Sequence, residues 1–253
     1  MCTLFLALDR HPRWTTVLVG NRDEAYARPT HPAHWWTDAP DLLAGRDLSA
    51  GGTWLGVTRA GRWAVVTNVR DLPAHRERPR SRGDLPVGFL TRDVAPLDYA
   101  REVADSREEV NPFNLLVGDG SAVAYASSHV DSARSLGPGV YGLSNATLDV
   151  PWPKVARGRE RFSALLKPDD LDPEDVFAML AHDAIAPDDS LPETGVGLVK
   201  ERALSALFIR MPGYGTRVSY VLLLDADGRG RFWERSFVDG ETAATLAFEI
   251  GPT

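Results

Sequence analysis

The chain has 253 residues, 43% of them hydrophobic and 25% charged, an ordinary globular composition with enough apolar side chain for a sizeable core. Its formal net charge of -7 speaks against a general nucleic-acid binder, which carries a basic excess. One cysteine excludes an internal disulfide and fits a reducing compartment, and no apolar run approaches the roughly 20 residues of a membrane helix.

The opening MCTLFLALDR lacks the basic and long apolar regions of a secretory leader. The chain is therefore expected to be cytoplasmic, without a membrane span or a nucleic-acid partner. Gly and Pro are spread evenly, with no repeat or linker, so a single domain over 1–253 is expected.

In chain order, Thr3 to Leu8 and Trp14 to Val19 flank the turn formers Asp9 to Arg13 and read as a hairpin. The region around His31, His34, Trp35 and Trp36 is broken by prolines and reads as a loop. Thr53–Thr58 with Trp63–Thr67 make a second hairpin. His75 to Arg82, HRERPRSR, is strongly basic, either a solvated loop or a rim for an anionic ligand. Helical spacing covers Asp84 to Val94, with Asp84 as its N-cap, and Leu97 to Val110. Asn114–Val117 with Ala122–Ala126 make a third hairpin. Trp152–Leu166 and Pro173–Ile185 are helical, the latter capped by Asp172 with Val176, Phe177, Leu180 and Ala184 on one face. Val218–Leu224 and Arg231–Ser236 flank an Asp/Gly turn and make a fourth hairpin. Hairpins and helical pairs alternate in blocks, which argues against a parallel doubly wound sheet. The expected fold is α+β, a four-layer αββα sandwich of two antiparallel sheets flanked by helices.

Cys2 follows the initiator methionine directly. Removal of that methionine would put a thiol and a free α-amine on one residue. An α-amine titrates near about 7.7–8, so it can act as a base near neutral pH. The second strand ends in Gly20-Asn21-Arg22-Asp23-Glu24, and a hairpin returns this end to the start of the first strand. Arg22 would then favour the Cys2 thiolate and Asp23 would hold the amine. Because Arg22 and Asp23 are adjacent, a regular strand points them to opposite faces. Asn68 and Asn145 close strands and could supply oxyanion donors, or simply serve turns. Arg217 could contact a substrate carboxylate or buttress the site. Asn21, Glu24, Trp54 and Arg82 are candidates for substrate contacts. No metal ligands are assigned.

The blocks MCTLFLAL, GNRDEAYARPT, LAGRDLSAGGTWLGVTRAGRWAVVTNVR, SRGDLPVGFL, YGLSNATLDVPWPKVARG and YGTRVSYVLLLD together resemble the NRDE family, the transport and Golgi organisation protein two family. That family is similar to the cysteine N-terminal-nucleophile hydrolases. The resemblance implies their four-layer fold and their amide or thioester chemistry on a small-molecule substrate, by hydrolysis or acyl transfer. It implies Cys2 as nucleophile with Arg22 and Asp23 on the second strand, and Asn145 at the oxyanion; Asn68 and Arg217 are looser matches. In the hydrolases the arginine and aspartate are spaced apart, unlike here. Eukaryotic members are associated with haem trafficking, which implies an alternative: a haem-binding protein of the same fold, without hydrolysis. Cys2 or a histidine would be its ligand, with His31 and His34 beside the flat Trp35 and Trp36. No cofactor is needed under the first reading, and the oligomeric state is open.

Overall fold

The computed structural model describes residues 2–251. By contact density the chain divides into two compact units interleaved in sequence. The first takes the chain up to Ala27, Pro138–Leu223 and Phe232–Phe248; the second takes Arg28–Gly137, Leu224–Arg231 and the residues from Glu249.

The first unit opens with β1 (Cys2–Leu8) and β2 (Thr16–Ala25). The turn between them is held by His11, whose Nδ1 accepts the backbone N–H groups of Arg13 (3.1 Å) and Trp14 (3.2 Å). The chain then builds the second unit from β3 (Thr30–Trp35), β4 (Leu42–Asp47), β5 (Leu55–Thr58), β6 (Trp63–Asn68), α1 (Asp84–Leu90), α2 (Pro96–Asp105), β7 (Phe113–Gly118), β8 (Val123–Ser127) and β9 (Arg134–Leu136). These seven strands form one sheet in chain order, β3 to β9, antiparallel throughout. Its core joins Leu42, Ala64, Leu115 and Val117 from the strands to Phe89, Tyr99 and Val103 from the helices.

The chain returns to the first unit with β10 (Gly139–Leu143), α3 (Pro153–Leu165), α4 (Pro173–Leu180), α5 (Leu198–Leu204), β11 (Arg210–Met211), β12 (Tyr214–Leu224), β13 (Gly230–Val238) and β14 (Glu241–Ile250). Its sheet has the order β10-β1-β2-β12-β13-β14, with β11 added to β12. Phe5, Ala7, Val17, Val19 and Val221 on one side of this sheet pack against Phe162 of α3 and Val176, Phe177 and Leu180 of α4. Gly158 lets α3 approach β1 closely, since a Cβ there would lie 2.1 Å from Phe5 Cζ. Two antiparallel sheets with five helices, all among the described residues, make the α+β class expected from the sequence.

The four expected hairpins and four expected helices are all present, with shifted ends. Gly83, not Asp84, occupies the N-cap of α1; Asp84 is the first helical residue and its Oδ2 accepts Ser81 N–H at 3.0 Å. Asp172 does cap α4, accepting from Glu174 N–H at 2.8 Å. That helix stops at Leu180, so Ala184 lies outside it. The expected loop around His31 is instead strand β3, on the edge of its sheet. Its register against β4 shifts between His31 and His34, at Pro32, which has no N–H to donate.

Candidate active site around Cys2

The β1–β2 register sets Cys2 opposite Arg22, Thr3 opposite Asn21 and Leu4 opposite Gly20. Directly opposed residues of an antiparallel pair share a face, so Arg22 lies beside Cys2. Asp23 alternates to the other face, yet its main-chain N–H is close enough to the sulfur to favour the Cys2 thiolate. Adjacency therefore does not remove either residue: one flanks the thiol with its side chain, the other with its backbone. Cys2 is half-buried and free of any disulfide. Dense packing around the sulfur pushes the thiol pKa up; the Asp23 carboxylate adds to the rise, while Arg22 and the Asp23 N–H oppose it.

The Asp23 carboxylate is almost wholly buried. Its Oδ1 accepts the Thr216 hydroxyl at 2.7 Å, and Thr216 Oγ1 in turn accepts Ile209 N–H at 2.9 Å. Tyr214 donates its hydroxyl to the Asp23 carbonyl at 3.0 Å. Burial pushes the Asp23 pKa up, opposed chiefly by the positive charge of Lys154 and further by Thr216 and Arg22.

Lys154 was not among the residues singled out from the sequence. It is 2% exposed, in the first turn of α3, where the helix macrodipole disfavours a cation. The start of this helix is fixed by Asp149, in the left-handed conformation (φ 63), which clasps Gly142 through Gly142 N–H to Oδ1 (2.9 Å) and its own N–H to Gly142 O (2.8 Å). A lysine after a helix-initiating proline carries no signal of burial, so only the packing identifies it.

On the other edge of β1, β10 pairs Leu143 with Leu4. β10 ends at Leu143, and Ser144 and Asn145 follow it in a bend. Ser144 donates its hydroxyl to the Cys2 carbonyl at 3.1 Å and lies 3.2 Å from Thr3 Oγ1, and Asn145 is buried beside it. Arg217 donates to the Ala25 carbonyl at 3.2 Å, and Glu24 lies 3.8 Å from the Arg22 guanidinium. Burial, then the charge of Arg22, lowers the Arg217 pKa, with Glu24 opposing. The structure thus brings Cys2, Arg22, Asp23, Glu24, Asn145 and Arg217 to one end of the first unit's sheet.

Asn21 is a correction. Its amide donates to the carbonyls of Leu180 (3.0 Å) and Leu207 (2.9 Å) and accepts Ser219 Oγ–H (2.6 Å), fully buried. Both donor hydrogens are committed to tying β2 to the end of α4, so its role is structural rather than substrate contact.

Three further candidates belong to the second unit. Asn68 ends β6 opposite Phe113. Trp54 is buried, its ring lying where a Cβ on Gly45 would be. Arg82 donates to the Pro112 carbonyl at 3.2 Å. The basic run is not an open anion rim: Arg76 and Arg78 pair with Glu108 at 3.3 and 3.2 Å, and Arg80 pairs with Glu109 at 3.3 Å. Nor do Trp35 and Trp36 form a free flat platform. Trp36 is a core residue donating its indole N–H to Ala44 O, and the guanidinium of Arg59 covers Trp35 at 3.9 Å. Among the described residues, no group of three or more His, Cys, Asp or Glu is arranged to hold a metal ion. No helix there is long and apolar enough to cross a membrane.

The chain shares its fold with a solved hydrolase at 10% sequence identity: the C2A mutant of the conjugated bile acid hydrolase from Clostridium perfringens, with a TM-score of 0.52 over 99% of this chain and 92% of that one. This is the N-terminal-nucleophile hydrolase fold. The human transport and Golgi organization protein 2 homolog is 34% identical over 260 residues, covering 94% of each chain. The Drosophila melanogaster transport and Golgi organization protein 2 is 27% identical, covering 93% of this chain and 92% of its own. The family model for transport and Golgi organisation 2 matches residues 1–239. The chain belongs to the transport and Golgi organisation 2 family.

Proposed function

We propose that the chain is a cysteine N-terminal-nucleophile hydrolase or acyl transferase acting on a small-molecule amide or thioester. The observation that carries this reading is the placement of Cys2 directly opposite Arg22 on the neighbouring strand. The fold is that of a hydrolase of conjugated bile acids whose C2A mutant has been solved, which supports seating the chemistry at Cys2. In this mechanism Met1 is first removed. The freed α-amine takes the thiol proton, and the thiolate attacks the substrate carbonyl carbon. Asn145 donates to the oxyanion, a contribution of about 3 kcal/mol to the barrier. The C–N or C–S bond breaks, and the leaving group takes its proton from the ammonium. Water, deprotonated by the same amine, then hydrolyses the acyl-thioester, or a second nucleophile accepts the acyl group. Asp23 holds the ammonium, and Lys154 keeps Asp23 ionised within its buried setting.

The lone cysteine supports a reducing, cytoplasmic setting for this chemistry. Haem handling is the less supported reading, because the tryptophans expected to form its platform are packed or covered.

Intact-mass spectrometry, followed by release assays on a panel of N-acyl amino acids and acyl-thioesters, tests the proposal. The expected results are a chain lacking Met1 and turnover that disappears in Cys2→Ala at an unchanged urea midpoint. Turnover retained in Cys2→Ala would exclude the mechanism, and so would a mature chain that keeps its methionine.

A further inference from the structure

Tyr220 of β12 is a large, fully buried side chain that the mechanism above does not use. Its hydroxyl sits over Gly20: a Cβ on Gly20 would lie 2.6 Å from the Tyr220 oxygen. Gly20 is opposite Leu4 and therefore diagonal to Cys2, whose direct partner is Arg22. Diagonal positions across an antiparallel pair are about 7–8 Å apart, within reach of an aromatic side chain. The face that carries the Cys2 side chain thus has a gap at position 20, and the phenol fills that gap. A buried tyrosine hydroxyl ordinarily finds a partner. The charges that reach this hydroxyl are those of Cys2 and Asp23.

We propose that the Tyr220 hydroxyl, admitted by the missing side chain of Gly20, donates a hydrogen bond to the Cys2 thiolate and so helps to generate the nucleophile. The inference rests on the reading of Cys2 as nucleophile. Tyr220 is a positioning residue in this role, acting through the sulfur. The thiol proton still passes to the α-amine; the phenol keeps its own proton throughout. That the phenol stays protonated is consistent with its pKa, pushed well above the ordinary tyrosine range by burial and then by the charges of Cys2 and Asp23. The charged groups that act on the sulfur are Arg22 and Asp23 from β2; Lys154 from α3 acts on Asp23, Glu24 and Arg217 lie near Arg22, and the test leaves all of them in place.

The experiment is the rate of iodoacetamide alkylation of Cys2 from about pH 6 to about pH 10, on the chain whose N-terminus has been defined by intact mass. Tyr220→Phe removes only the hydroxyl and keeps the ring. Its inflection is expected to move up by about one pH unit, so that labelling below both inflections slows roughly tenfold. Gly20→Ala keeps the hydroxyl but displaces it, and its inflection should move the same way; if that variant does not fold, Tyr220→Phe decides alone. A Tyr220→Phe profile that overlays the wild type, or moves down, overturns the proposal. Labelling needs no substrate. An absence of turnover in the wild type would therefore sink the hydrolase reading and leave this result standing.

Discussion

Replacing Asn21 by alanine should unfold the protein far more readily without first touching a ligand. The wild-type amide satisfies three buried groups: the carbonyls of Leu180 and Leu207 and the hydroxyl of Ser219. Each buried polar group left without a partner costs about 1–3 kcal/mol. Water entering the space of the lost side chain recovers part of this, so the expected loss is about 3–6 kcal/mol. That is a large share of the roughly 5–15 kcal/mol that holds a typical domain together. Urea unfolding followed by circular dichroism reads the effect, and with a slope of about 1–3 kcal/mol per molar the midpoint should fall by at least about 1 M. The double variant Asn21→Ala/Ser219→Ala should recover on the order of 1 kcal/mol, because the orphaned hydroxyl goes with it. An Asn21→Ala midpoint within about 0.3 M of the wild type would refute the reasoning. Combined with a selective loss of substrate affinity, it would return Asn21 to the substrate contacts.

Two further outcomes depend on pH. Burial holds the His11 pKa below its ordinary 6.5, with Arg13 helping and Asp169 opposing. A depressed folded pKa means that its stabilisation is complete above about pH 6.5 and is lost as pH falls below that value. His11→Asn keeps an acceptor for Arg13 and Trp14 N–H but does not titrate, so the wild type should lose urea stability between about pH 7 and pH 5 that the variant retains. Lys154→Met removes the main charge opposing the burial of ionised Asp23, whose folded pKa is already raised and should rise further. A raised carboxylate pKa makes stability fall as pH increases through it. The variant should therefore trail the wild type more at pH 8 than at pH 5, by about 3–5 kcal/mol at the alkaline end; a deficit that does not change with pH would show that Lys154 acts through packing alone.

The sequence by itself determined the α+β class, the four hairpins and the two helical pairs, because alternation and turn residues are local signals that tertiary packing did not overrule. It also determined that Arg22 meets Cys2, since a hairpin of known turn fixes which residues face each other. Only the tertiary structure decided the rest. Pro32 hid β3, because a local reading counts its missing N–H against a strand and cannot know that the strand is at a sheet edge. Asn21 read as a ligand contact until Leu180, Leu207 and Ser219 were seen around its amide, groups that arrive from far along the chain. Lys154 and Tyr220 are of the same kind: a lysine at a helix start and a tyrosine in an apolar strand look ordinary in sequence. What distinguishes them is the charge of Asp23 and the absent side chain of Gly20 on a neighbouring strand, and such couplings exist only once β2, β12 and α3 have packed.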